Sequence, residues 1–184
     1  AEPKVISYTT KHEDVQHPQL FDGFAGELDL LLLVTMPFRV SPSSVPLTID
    51  GVEMDSTSSA VSCTWVVGSN HTLSAPAEVQ DGNRTRYIFS SWSDGNTSAS
   101  RTVTASEATT LVANYTRQYY LSVESEYGTT EGEGWYDEGA EVTFAVSGSD
   151  AWYRTFGGWA GDSEARNQIA TIVMNSPSSV STTW

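Results

Sequence analysis

Lysine is nearly missing from this chain: Lys4 and Lys11 are the only two among 184 residues. Lysine and arginine together number 9 against 23 acidic residues, which gives a formal net charge of -14. A chain so short of cations is poorly suited to neutralising phosphates, which argues against nucleic acid as a partner. The same shortage argues against anionic membrane surfaces. Cysteine is reduced to Cys63, so no disulfide can close within the chain. Cys63 lies in Val61-Ser62-Cys63-Thr64-Trp65-Val66-Val67, where one alternating face reads Val61, Cys63, Trp65, Val67. The expectation is an inert thiol on the core face of a strand. Long apolar runs are absent too. The longest, Leu28 to Phe38, is interrupted by Asp29, Thr35 and Pro37. A membrane span needs about 20 apolar residues, so no membrane insertion is expected.

Catalytic motifs are equally scarce. There is no Gly-x-Ser-x-Gly elbow and no Asp-Thr-Gly or Asp-Ser-Gly triplet. The three histidines have no evident nucleophile partner in sequence. His12-Glu13-Asp14-Val15-Gln16-His17 approaches a zinc-binding helix but carries Gln16 where the second ligand is required. The acids Glu124, Glu126, Glu131, Glu133, Asp137, Glu138 and Glu141 are dense but do not follow EF-hand spacing. A solvated acidic face is expected there, with calcium as the one cofactor left open. The chain reads as a non-enzyme.

What the sequence does have is serine and threonine, a quarter of all residues, and short strand-like segments. Helical spacing of apolar residues extends nowhere beyond about two turns. Asp50-Gly51 separates Leu47-Thr48-Ile49 from Val52-Glu53-Met54, which predicts a two-residue hairpin with both turn residues at positive φ. Asp81-Gly82 and Asp94-Gly95 mark further turns. Strands are expected over roughly 60–67, 70–75, 85–92, 101–105 and 110–116.

The pattern then repeats. Phe89-x-x-Trp92 and its acidic turn match Phe156-x-x-Trp159, and Thr110 to Tyr115 runs beside Ser179 to Trp184 without gaps. Gly68 to Leu73 parallels Gly139 to Phe144, and Trp65 pairs loosely with Trp135. Residues 41–117 and 118–184 therefore read as two copies of one β unit. The expected fold is all-β: two tandem small sandwich or immunoglobulin-like units preceded by an N-terminal strand pair in residues 1–40. In that pair Lys4–Thr10 alternates, and Glu27–Met36 becomes continuously apolar, which suits a strand covered on both faces. An uncovered Leu30–Val34 edge would aggregate. It is either central in its own sandwich or covered by a strand from another subunit, a mode in which main-chain bonds supply affinity. Val5, Ile6, Tyr8, Leu30 and Leu32 are the candidate exchange residues.

Four Asn-x-Ser/Thr sequons begin at Asn70, Asn83, Asn96 and Asn114, from only six asparagines. This density points to N-linked glycans on exposed strand and turn positions. Trp152 and Tyr153 have no repeat counterparts and are the candidate exposed contact aromatics.

The segment Gly134-Trp135-Tyr136-Asp137-Glu138-Gly139, with Phe89, Phe156, Trp92 and Trp159, resembles β-rich repeats of archaeal and bacterial cell-surface proteins. These include divergent internalin-B-type repeats and surface-layer-like proteins. The resemblance covers about residues 41–184 and implies an extracellular location and a repeat architecture rather than a chemistry. Combined with the residue-level reading, it leads to a self-associating structural subunit of a filament or surface layer. A carbohydrate-binding adhesion module is the alternative.

Overall fold

The computed structural model describes residues 32–41, 45–54, 61–148 and 155–184, and every regular element among them is a β-strand. In the first unit a sheet runs in the order β4 (Val61–Val66), β1 (Leu33–Ser41), β9 (Leu111–Glu124), β7 (Thr85–Trp92), β6 (Glu78–Gln80). Facing it is a second sheet ordered β3 (Val52–Met54), β2 (Leu47–Ile49), β5 (Asn70–Ser74), β8 (Ser100–Thr104). Between them lies a core that includes Phe38, Leu47, Leu73 and Trp92. Asp50 and Gly51 have φ of 50° and 80°, the positive pair that a two-residue hairpin between β2 and β3 demands.

The second unit repeats the plan. β11 (Gly134–Asp137), β9, β15 (Ser178–Thr183) and β13 (Gly158–Gly161) form one layer. β10 (Thr129–Glu131), β12 (Glu141–Ser147) and β14 (Ile169–Val173) form the other. A separate core of Leu121, Phe144, Trp159, Met174 and Val180 fills the space between. The equivalence extends to single bonds. Trp92 donates Nε1–H to the Ser98 carbonyl at 2.9 Å, and Trp159 donates to the Asn167 carbonyl at 3.0 Å. Phe89 meets Tyr115 edge-on at 5.6 Å, and Phe156 meets Trp184 edge-on at 5.7 Å.

The units are not joined by a linker. Residues 111–114 of β9 lie parallel to β1 as the last strand of the first unit. Residues 121–124 lie parallel to β15 as the first strand of the second. The boundary expected at 117/118 therefore falls inside one uninterrupted 14-residue strand. The boundary expected at 40/41 also falls inside a strand, since β1 contributes Met36, Phe38 and Val40 to the first core. β1 is central, flanked by β4 and β9, but only one of its faces is buried; Leu33 on the other face is exposed. From Leu33 onward the expected strand is thus not covered on both faces, and its residues 27–31 lie outside the described residues. Burial follows the alternation of Val34, Met36, Phe38 and Val40 instead.

Register also corrects one pairing of aromatics. Trp65 stands opposite Val34 on β1, and Tyr136 stands opposite Tyr119 at the equivalent place on β9. Tyr136, not Trp135, is the counterpart of Trp65. Trp135 alternates onto the outer face, because successive strand residues point to opposite sides.

Glycine is required where β10 turns toward β11. Gly132 has φ of +92°, and a Cβ there would lie 2.6 Å from the Thr143 carbonyl oxygen. Gly139 has φ of +82° but open space around it. Gly139→Ala is expected to cost roughly 1 kcal/mol, the left-handed strain alone, and Gly132→Ala at least about 2 kcal/mol. Equal urea midpoints for the two variants would show that the β10–β11 turn yields freely to a methyl group.

Candidate functional site

Arg117 sits where the two cores meet, on the inner face of β9. Its guanidinium donates to the Tyr87 hydroxyl at 3.0 and 3.2 Å and to the Tyr119 hydroxyl at 3.3 Å. Tyr87 belongs to the first core and Tyr119 to the second. The Tyr119 hydroxyl donates to Glu138 at 3.2 Å, and Arg117 reaches the same carboxylate at 3.4 Å. The two phenol hydroxyls raise the pKa of the guanidinium by bonding to it, Tyr119 first. The Arg117–Glu138 ion pair is too exposed to hold the seam by itself. Bonding to one tyrosine from each core does more.

The outer face of the same stretch carries a second tie. Gln118 accepts from Arg86 Nε at 2.8 Å and donates to Asp137 at 2.8 Å, so it links β7 to β11 across β9. Arg86 lies over the Trp135 ring, 4.5 Å from its centroid. Tyr120 meets that ring edge-on at 5.3 Å and donates to Glu133 at 2.6 Å. That bond to a carboxylate pushes the Tyr120 phenol upward. Residues 117–120 thus fix the seam on both sides of the sheet, which sets the angle between the units.

A second cluster closes one end of the first core. His71 Nδ1 is 2.7 Å from Asp50 Oδ2, and its Nε2 is 2.7 Å from Ser69 Oγ. The Trp65 ring stacks on the imidazole at 3.7 Å with a 5° tilt. Asp, His and Ser stand here in the order of an acyl-transfer triad. However, the Val66 carbonyl, 2.6 Å from the Ser69 hydroxyl, competes with the imidazole for its single proton, and Trp65 covers one face of the ring. The geometry is that of a plug between β4 and β5. The second unit has Tyr136 and Val142 at the matching positions and needs no polar group. Burial, then the Asp50 charge, pushes the nearby Cys63 thiol up, which keeps it protonated.

Asp50 also accepts the Thr72 backbone N–H at 2.8 Å. The His71 bond, then the Thr72 bond, holds its carboxyl below the ordinary value. A depressed folded pKa contributes stability that is present above the unfolded value of about 3.9 and lost as pH falls through the folded one. The stability gap between wild type and Asp50→Asn is expected to be full at pH 7 and to narrow below about pH 4. Urea midpoints of both proteins at pH 7 and pH 3 measure it. An unchanged gap would mean that the carboxylate charge contributes nothing.

The sequons occupy different settings. Asn70 and Asn83 are exposed, whereas Asn96 and Asn114 are half-buried. Asn70 Oδ1 accepts from Thr104 at 2.7 Å. Asn96 Oδ1 accepts from the Ser98 amide at 2.9 Å. Asn114 stands within β9, opposite Ser41 on one side and Ser91 on the other. Val5, Ile6, Tyr8, Leu30, Trp152 and Tyr153 lie outside the described residues. Leu32 is exposed, and its carbonyl accepts the Val67 amide at 2.8 Å, a partner within the same chain. Among the described residues no three acids, histidines or cysteines converge as a metal site would need.

Comparison with protein-family models, with curated proteins and with solved structures finds no match. Neither the seam nor the Asp50–His71 plug was visible in sequence. Arg117 and Tyr87 are 30 residues apart, as the hydrogen bond between them records. The one signal was that no glycine or proline interrupts residues 111–124, while the alternation itself breaks at the polar run Thr116-Arg117-Gln118.

Proposed function

We propose that this chain is a non-enzymatic structural subunit of an extracellular, self-assembled structure at a cell surface, a filament or a surface layer. The observation that carries the reading is the shared strand β9, tied on both faces by Arg117 and Gln118. A rigid joint of this kind keeps a fixed spacing between units, which serves an ordered array. Three further features support it: a surface rich in Ser and Thr, sequons at exposed Asn70 and Asn83, and the resemblance to cell-surface repeats. The strong negative charge limits non-specific association.

β1 is bonded on both edges within its own chain, so β1 itself is not exchanged, and strand exchange would fall to the segment of Val5, Ile6 and Tyr8. The adhesive alternative needs open stacking aromatics, and the exposed-face Trp135 already has Arg86 over its ring. Electron microscopy of the protein from its source tests the proposal, together with intact mass. Regular fibres or sheets, with added sugar mass, are the expected result. Dispersed single-chain particles would overturn it.

A further inference from the structure

Among the described residues, strand β14 is an edge strand of its sheet, whose order is β10-β12-β14. Its burial alternates so that Ile169, Thr171 and Val173 face outward, with Ile169 66% and Val173 49% exposed. The first unit has Ser100 and Thr104 at the matching places on its own edge strand β8. Natural edge strands are protected by charge, bulges or proline. β3, β6, β8 and β10 each carry a charged residue, and Arg166 bonds the Gly157 carbonyl beside β13. β4 is uncharged and turns Val66 outward beside Ser62 and Thr64, one apolar side chain among two polar ones. β14 carries no charge or proline and turns out Thr171 between two apolar side chains, both more exposed than Val66.

Charge argues for the occupant. No charged residue occurs from 167 to 184, in a chain whose net charge is -14. Two copies repel each other over most of their surfaces, and this stretch is where they approach without that cost. The backbone also suits a second copy. The Met174 amide and the Gln168 carbonyl bond toward the β12 side. Alternation then turns the peptide groups of Ile169, Thr171 and Val173 toward the open edge.

We propose that β14 pairs antiparallel with β14 of a second copy, across a two-fold axis at Thr171. Ile169 of each copy then faces Val173 of the other, a self-complementary apolar contact. Glu141, beside Val173 on β12, lies three strand spacings across and four residues along from its symmetry mate, roughly 20 Å and beyond the screening length at physiological salt. This pairing rests on the assembly reading above and names one contact within it; a two-fold pair closes as a dimer, and an extended array adds a second contact elsewhere.

Sedimentation velocity on the full chain tests it, with Thr171→Asp, Thr171→Lys and the matched control Thr102→Asp on β8. Wild type is expected to self-associate. Both Thr171 variants should raise the dimer dissociation constant at least about tenfold, because like charges meet at the axis whichever their sign. Thr171→Lys lowers the overall negative charge, so its weakening would isolate the local effect. Thr102→Asp should match wild type. If wild type associates and the Thr171 variants associate equally well, or if Thr102→Asp weakens as much, the β14 contact is wrong and assembly uses another surface. If wild type stays monomeric up to about 100 µM, both the contact and the assembly reading fall.

Discussion

Gln118→Pro is expected to weaken both units at once, by roughly 3–5 kcal/mol. Around this position β9 has neighbours on both sides. The Arg117 carbonyl accepts the Glu138 amide at 2.9 Å on the β11 side, and the Tyr120 amide donates to Arg84 at 3.0 Å on the β7 side. By alternation the Gln118 peptide faces Arg86, its register partner on β7. Proline removes that N–H from a central strand and leaves an acceptor unpaired. It also deletes the side-chain bridge from Arg86 to Asp137. Gln118→Ala removes the bridge alone and should cost about 1 kcal/mol. Amide exchange at Leu73 and Phe144, one deep in each core, reads the outcome. Lost protection at both sites marks a shared strand. Loss at one site only would mean that the units are stabilised independently and the seam transmits nothing.

Trp92→Ala and Trp159→Ala are each expected to lower the unfolding free energy by about 3–5 kcal/mol, and by similar amounts. The two rings are 1% and 4% exposed, and each satisfies its indole N–H with a carbonyl from the loop that follows. Matched surroundings predict matched costs. Natural domains of this size hold only about 5–15 kcal/mol in all, so the double variant should be largely unfolded at 25 °C. Urea denaturation followed by circular dichroism supplies the comparison. A loss below about 1 kcal/mol at either site would mean that the ring is not a core anchor there.

Why the repeat was legible and the seam was not follows from the range of the forces. Asp50-Gly51 and Asp94-Gly95 specify turns through local backbone sterics, so the strands they bound could be placed from sequence. Phe89 and Trp92 recur as Phe156 and Trp159 because both cores are filled in the same way. The joint at residues 117–120 depends on register between strands far apart in the chain, which composition does not encode. Trp135 shows the cost of reading type without register. Its neighbour Tyr136 takes the core position, and a shift of one residue exchanges inside for outside. Asp50 was readable as a turn residue, while its bond to His71 requires β2 and β5 to be neighbours.

The parallel pairings of β9 have a mechanical meaning. β1 runs beside the first half of β9, and the second half of β9 runs beside β15, all in one direction. Tension applied along the chain enters each unit at the start of one of these strands and leaves at the end of its parallel neighbour. The ladder between them is then loaded in shear, with its hydrogen bonds resisting together, rather than being peeled open one at a time. Force leaving the first unit passes straight into the second through a single strand, with no slack segment to extend first.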